Sequence, residues 1–266
     1  QAEDGIRDIG VTGVQTCALP ICRGFSEDDG HPRYVAVGGM AALAKHLAAN
    51  LDVRTSTLVF AVEPGTVAPW SIVIDDGSRI DADAVVVTCP LPQSYALLVT
   101  AGVEIPEKLL FTDYERTLAL LARPDRDVPI GRCGGMQNPD AVFSWIGNNR
   151  AKGVSAEPAI TFHANPVWSL EHWERSNDEC RQLLVAAAGT WLGSARIIEC
   201  ELKRWRFATP KNVWPDECFT AGPSLTPAAP GPLALAGDAF AGPKVEGAIR
   251  SGLAAARFVE AELSAN

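Results

Sequence analysis

The residues of this chain best placed for chemistry stand near its C-terminus, in Leu233-Ala234-Leu235-Ala236-Gly237-Asp238 and the loop and helix start that follow. An apolar run of strand length ends there in Gly-Asp. A glycine-containing loop comes next, and Glu246-Gly247-Ala248 and Ser251-Gly252 open an apolar-periodic run. A carboxylate at a strand end accepts hydrogen bonds from ribityl or ribose hydroxyls, and the free N–H groups of a helix N-terminus stabilise negative charge. In a flavin-dependent enzyme that charge develops at the N1–C2=O edge of the reduced isoalloxazine, so stabilising it favours hydride acceptance. Gly247, Ala248 and Gly252 are small enough to let the helix approach both ring and sheet. A lone Gly-Asp reads equally as an ordinary strand-loop-helix junction; the full spacing GDxxxGxxxEGAxxSG points to a flavin edge.

Positioning this motif requires a short buried strand over 233–236 and a long alanine-rich helix over 245–263. Near the other end, Gly38-Gly39 opens an apolar-periodic run over 40–51, and Leu43, Leu47 and Leu51, spaced four apart, predict a helix. Alternating or β-branched runs at 53–62 and 71–74, a turn at Asp76-Gly77 and an apolar run at 84–88 ending in Cys89-Pro90 predict a hairpin feeding a buried strand. Between 93 and 227 the pattern changes. Strand-like runs at 117–122, 141–146, 159–163 and 197–207, with helical patterns at 170–175 and 178–192, predict a mixed sheet with helices on one side, a separate substrate-type domain. Residues 227–232 read as a stiff linker. The first and last pieces are similar α/β material and form one discontinuous domain interrupted by the middle one.

Composition bounds the partners. A 47% hydrophobic and 21% charged chain of 266 residues is that of a globular protein. Its 23 Lys and Arg against 32 Asp and Glu give a net charge of −9 with no basic run, which argues against nucleic acid. The longest apolar stretches fall far short of the roughly 20 residues that cross a bilayer, so no membrane span is expected. Cys17, Cys22, Cys89, Cys133, Cys180, Cys200 and Cys218 are odd in number and form no CxxC pair. That pattern argues against a disulfide framework or a metal site and fits a cytoplasmic protein whose cysteines are small core hydrophobes. Residues 1–22 show no helical or strand periodicity and lack the basic and apolar regions of a signal peptide. The string resembles translated sequencing-adapter read-through, so residues 1–32 are expected to be artefactual or disordered.

Over residues 33–264 the chain resembles renalase and its bacterial relatives, within the flavin amine oxidase superfamily. The resemblance rests on RYVAVGGMAALAKHL, DADAVVVTCPLP, SWIGNNRAKG followed by TFHANPVWSLEHWE, KRWRFATP, and LALAGDAFAGPKVEGAIRSGLAAA, in that order. It implies an FAD cofactor, with Val59 holding the adenine through its backbone and Cys89-Pro90 lying along the cofactor. It likewise implies Gly237 and Asp238 at the ribityl chain and Val245, Glu246, Gly247 and Ala248 at the flavin pyrimidine edge. The implied fold class is α/β: an incomplete Rossmann-like FAD/NAD(P)-binding domain from 33–92 and 228–266, around an α+β substrate domain over 93–227 with a mixed sheet. The departure is at the start. Members of the family begin with a strand, a GxGxxG turn, a helix and a later acidic residue, and none of these occurs here. The chain therefore reads as N-terminally truncated and as missing the grip on the FAD pyrophosphate.

Amine oxidases of the superfamily carry a lysine near flavin N5 and an aromatic residue before the flavin-edge helix; the matching positions here are Ala122 and Lys244. Lys244 suits an anionic dinucleotide substrate, or is a solvated loop lysine. Renalase-like enzymes oxidise isomeric dihydronicotinamide dinucleotides by hydride transfer to the flavin, with oxygen as electron acceptor. The resemblance implies that activity. A dihydropyridine donates hydride without losing a proton, so no catalytic side chain is demanded. Trp145, Asn148, His163, Trp168 and Trp205 are candidates for the substrate pocket, with core packing the alternative for the tryptophans and for His163. His172 reads as exposed. The competing functions are an FAD-dependent amine or carotenoid-type oxidoreductase, and a cofactor-free fragment without activity.

Overall fold

The computed structural model describes residues 19–20, 34–131, 134–223, 229–240 and 242–265. The expectations for the remainder of 1–32, for Cys17, Cys22 and Cys133, and for the first residues of the 227–232 linker lie outside the described residues. In chain order the elements begin with a short antiparallel pair, β1 (Leu19–Pro20) and β2 (Tyr34–Val35), and α1 (Ala41–Leu47). Then come β3 (Val59–Pro64), β4 (Trp70–Ile74), β5 (Arg79–Ala82), β6 (Val85–Val87), α2 (Leu91–Leu98) and α3 (Glu107–Leu110). They are followed by β7 (Tyr114–Pro124), β8 (Gly135–Gln137), β9 (Phe143–Asn148), β10 (Ile160–Ala164), α4 (Pro166–Glu171) and α5 (Asn177–Leu192). The last are β11 (Ile197–Pro210), β12 (Phe219–Ala221), β13 (Leu233–Leu235) and α6 (Val245–Ser264). This mixed α/β chain divides into two compact units, Gln1–Val53 with Thr117–Arg204, and Arg54–Arg116 with Trp205–Asn266.

The first unit is built on a five-stranded sheet of order β11-β7-β10-β9-β8, in which β10 runs antiparallel to β7 and β9, and β9 to β8. Period-two alternation gives the sheet one apolar face. Leu118, Leu120, Ile146, Ile160 and Phe162 are fully buried there and pack with Cys180, Leu184 and Ala188 of α5. The Phe143 and Phe162 rings meet at 5.1 Å. Helix α5 begins at a capping box, in which the Ser176 hydroxyl accepts from the Glu179 N–H while the Glu179 carboxylate accepts from the Ser176 N–H. The helix expected over 170–175 instead occupies Pro166–Glu171. Asn165 and Pro166 supply its N-cap and first position, a stronger local signal than the apolar spacing that follows. Helix α1 closes at Leu47, short of the expected 40–51. Leu47 and Leu51 are 57% and 68% exposed among the described residues, and a face without packing does not extend a short helix.

The second unit holds an antiparallel meander, β3-β4-β5, and a three-stranded sheet of order β12-β13-β6. The Asp76-Gly77 turn forms as expected, with Gly77 at φ +85°. Strand β3 starts at Val59 and not at 53, because pairing begins only where Ala61 and Val62 find a buried face. Strand β5 and helices α2 and α3 have no counterpart in the sequence expectations; the two helices follow Pro90 and Pro106 at their N-caps. Strand β13 is parallel to β6, with Leu233 opposite Val85 and Leu235 opposite Val87, and antiparallel to β12. Trp70, Leu91, Leu109, Leu233, Leu235 and Phe240 form the buried centre of this unit.

Helix α6 closes on this sheet through its smallest residues. A Cβ on Gly247 would stand 2.1 Å from the Gly242 carbonyl oxygen, so only glycine fits, whereas a Cβ on Gly252 would meet nothing within 4 Å. The expected close approach therefore holds at Gly247 and fails at Gly252, which lies on the exposed side of the helix. Gly247→Ala should cost about 1–3 kcal/mol through backbone overlap, while Gly252→Ala should gain up to about 1 kcal/mol of helix propensity. Phe162→Ala should cost about 3–5 kcal/mol. Urea-denaturation midpoints of the three variants check these values.

Candidate active site

Parallel pairing brings the carboxyl ends of β6 and β13 to one sheet edge, which sets Thr88-Cys89-Pro90 beside Ala236-Gly237-Asp238. The Ala236 N–H donates to the Val87 carbonyl at 3.0 Å, extending the register to the last residue before the turn. Ligands of α/β sheets bind at such carboxyl ends. Gly237 takes φ +136° there, and its N–H donates to Ser251 Oγ at 2.9 Å. Ser251 is fully buried on α6, so this bond fixes the helix against the strand end. The intervening loop is held by the Phe240 N–H on the Gly237 carbonyl at 3.3 Å and the Trp214 N–H on the Ala239 carbonyl at 2.8 Å. Lys244, whose N–H donates to the Gly242 carbonyl at 2.9 Å, is the N-cap residue of α6, and no side chain caps that helix. The first N–H groups of this 20-residue helix thus have no side-chain hydrogen bond, and Glu246 is the acidic residue in its first turn.

Asp238 is half-buried, and burial holds its carboxyl above the ordinary carboxylate range. It accepts a hydrogen bond from its own backbone N–H, and no other side chain hydrogen-bonds to it among the described residues. Tyr114 belongs to the same edge, a residue that the sequence motifs did not single out. Its Oη accepts from the Leu91 N–H at 3.1 Å and its ring meets Phe207 edge-on at 5.4 Å. Burial pushes its phenol up, and the negative charges of Asp238 and Cys89 add to that rise. Cys89 is a free, half-buried thiol with Sγ 3.3 Å from Ser94 Oγ, and Pro90 is the N-cap residue of α2.

The other expected site residues fall in several places. Val59 opens β3, an outer strand of the meander, where a register shift between Val59 and Ala61 leaves Phe60 70% exposed. Lys244, Val245 and Glu246 are exposed, Gly247 is buried and Ala248 half-buried. Trp205 is 55% exposed on β11. In the first unit Trp145 and His163 are cross-strand partners on β9 and β10 and share one sheet face. Trp168 does not join them, because it packs against the core on the α5 side and stacks at 4.0 Å on His172. That stacking, with Nδ1 2.9 Å from the Trp168 carbonyl, leaves His172 half-buried where exposure was expected. Asn148 is likewise a structural anchor and not a pocket residue: Nδ2 donates to the Val128 carbonyl at 2.7 Å and Oδ1 accepts from the Ala151 N–H at 2.9 Å. Ala122 is buried in the α5-side core.

Among the described residues no group of His, Cys, Asp or Glu side chains is arranged to hold a metal ion, and no helix is long and apolar enough to cross a membrane. None of the curated proteins matches the chain in sequence. In fold it is similar to the crystal structure of a protein provisionally named protoporphyrinogen oxidase from Exiguobacterium sp. 255-15, with a TM-score of 0.59 at 17% identity. The match covers 87% of this chain and 52% of that one, so the chain spans about half the length of its structural relative. A CLA-producing fatty acid isomerase from P. acnes aligns with a TM-score of 0.47 at 14% identity, over 65% of this chain and 40% of the isomerase. The profile of the family described as flavin containing amine oxidoreductase matches residues 14–259. With most of its length matched by that profile, the chain belongs to the flavin containing amine oxidoreductase family.

Proposed function

We propose that this chain supplies the isoalloxazine-binding edge and the substrate domain of an FAD-dependent, renalase-like oxidoreductase that oxidises isomeric dihydronicotinamide dinucleotides with oxygen as electron acceptor. The observation that carries the reading is the half-buried Asp238 carboxylate, bonded only to its own backbone N–H among the described residues, at the carboxyl edge of the β6–β13 pair, on a strand end bonded to α6. A carboxylate partly withdrawn from water with a single donor leaves most of its acceptor sites unmatched, which is costly unless a ligand satisfies them. The described residues therefore fit a hydroxyl-bearing group at this edge.

Bound FAD would supply the ring that takes up hydride. Asp238 would accept hydrogen bonds from ribityl hydroxyls, with Gly237 letting the chain turn away beneath them. Val245, Glu246, Gly247 and Ala248 would present the positive end of α6 to the pyrimidine edge, and Cys89 and Pro90 would line the neighbouring strand end. The outer edge of β3 at Val59 would receive the adenine through backbone groups. Lys244 and Trp205 are exposed and available to an anionic, aromatic substrate. No side chain need move a proton when the donor is a dihydropyridine. In this reading residues 33–92 and 228–266 form the cofactor domain and 93–227 the substrate domain. Because no GxGxxG occurs in the sequence, FAD held by this chain alone should be weakly bound.

Amine oxidation is the second reading, favoured by the family's description. The two separate in one experiment on the chain loaded with excess FAD under anaerobic conditions. Loss of the flavin's visible absorbance with dihydronicotinamide isomers and not with alkylamines is expected; the reverse pattern would assign an amine oxidase. Asp238→Asn should weaken FAD binding about tenfold, the loss of hydrogen bonds to a charged acceptor. The same substitution has a pH signature. A carboxyl raised in the fold contributes stability that is full below the unfolded pKa of about 3.9 and is lost as pH rises through the folded value. In the flavin-free chain at neutral pH, Asp238→Asn should therefore raise the melting midpoint by roughly 1–3 °C, modest because the group is half exposed. That gain should vanish in acid below the unfolded pKa.

A further inference from the structure

We propose that Trp145, Lys152 and His163 form a receptor for an oxyanion carried on a flat ring, on the face of the five-stranded sheet opposite the α5 core. Trp145 and His163 are cross-strand partners, and the column of side chains they begin continues to Gly147 and Thr161 on the same face. Two glycines, Gly135 and Gly147, face each other across β8 and β9. A Cβ on Gly135 would stand 2.4 Å from Trp145 Cη2; one on Gly147 would stand 2.8 Å from Trp145 Nε1 and 3.1 Å from Lys152 Nζ. Neither glycine has a positive φ, so it is space and not backbone conformation that requires them. They make a floor against which the indole packs, with the ammonium over its ring, Nζ 5.9 Å from the centroid.

The ammonium is held in place by its loop. The Lys152 N–H donates to the Asn148 carbonyl at 3.1 Å, and Asn148 is itself anchored to the Val128 carbonyl. Lys152 is half-buried, burial lowers its pKa, and no carboxylate pairs with it among the described residues. The indole face offsets part of the cost of taking a cation out of water, but buried charge is ordinarily matched by opposite charge. His163 completes the set. Burial and the nearby Lys152 hold its imidazole neutral at physiological pH, so it offers one N–H donor, and no side-chain hydrogen bond of its ring is formed among the described residues. One cation, one neutral donor and one π surface together suit a carboxylate or phosphate adjoining a planar ring.

The inference stands on this unit's own residues and needs no flavin, so its test is separate from turnover. Calorimetric titration of the full chain with 2-naphthoate, 2-naphthyl phosphate and neutral 2-naphthamide reads it directly. At least one of the two anions should bind one-to-one and at least about tenfold more tightly than the amide, and whichever is preferred identifies the oxyanion as carboxylate or phosphate. Lys152→Met should remove that margin without changing amide binding, and Lys152→Arg should keep most of it. Equal affinity for amide and anions in the unaltered chain, no binding of either anion, or undiminished anion binding by Lys152→Met would each overturn the proposal.

Discussion

The parallel contact between β6 and β13 is the constraint on which the rest of the site depends. Three residues on each strand fix the register, and that register places two chain reversals, Cys89-Pro90 and Gly237-Asp238, at the same edge. The Gly237 N–H could have gone unsatisfied at such a turn; it is bound instead by Ser251, fully buried within α6. One hydrogen bond therefore couples the strand end to the helix. The tight passage of Gly247 over Gly242 then sets how closely the helix start can approach. With those two contacts made, what remains among the described residues is a carboxylate at Asp238 bonded only to its own N–H and a helix end without a side-chain cap.

Much of this was legible in the residues. The strand over 233–235, the turn at Gly237-Asp238 and the helix from Val245 follow from a short apolar run, a glycine and a long alanine-rich period, signals that no tertiary contact overrides. The turn at Gly77 was equally local. What the sequence concealed were elements defined by partners elsewhere in the chain. Tyr114 joins the site edge only because β7 begins there, and the RIDA segment of β5 is a strand because Trp70 to Val73 pair with it. Leu47 and Leu51 show the converse case, in which helical spacing meets no surface to pack against among the described residues.

The five-stranded sheet separates its candidates in a way that spacing alone does not reveal. Trp145 and Trp168 are both tryptophans near a strand, but alternation sends one to the open face and helix α4 carries the other into the α5-side core. Asn148 stands beside Gly147 in sequence and points to the opposite side, where it is consumed by the loop it anchors. Lys152, one residue before a glycine at φ +71°, lies within the SWIGNNRAKG motif but was not singled out there; its significance comes from the room that Gly135 and Gly147 give to the Trp145 indole and the Lys152 ammonium. A residue's partners, more than its type, decided which of these remained available for a ligand.

The most direct test of the account is amide chemical-shift mapping of the ¹⁵N-labelled chain during titration with FAD, which reads binding even when it is weak. Shifts concentrated at Cys89, Gly237, Asp238 and residues 245–248 are predicted, from the convergence of the two strand ends with the start of α6. An absence of change at those amides, whether or not others respond, would contradict it.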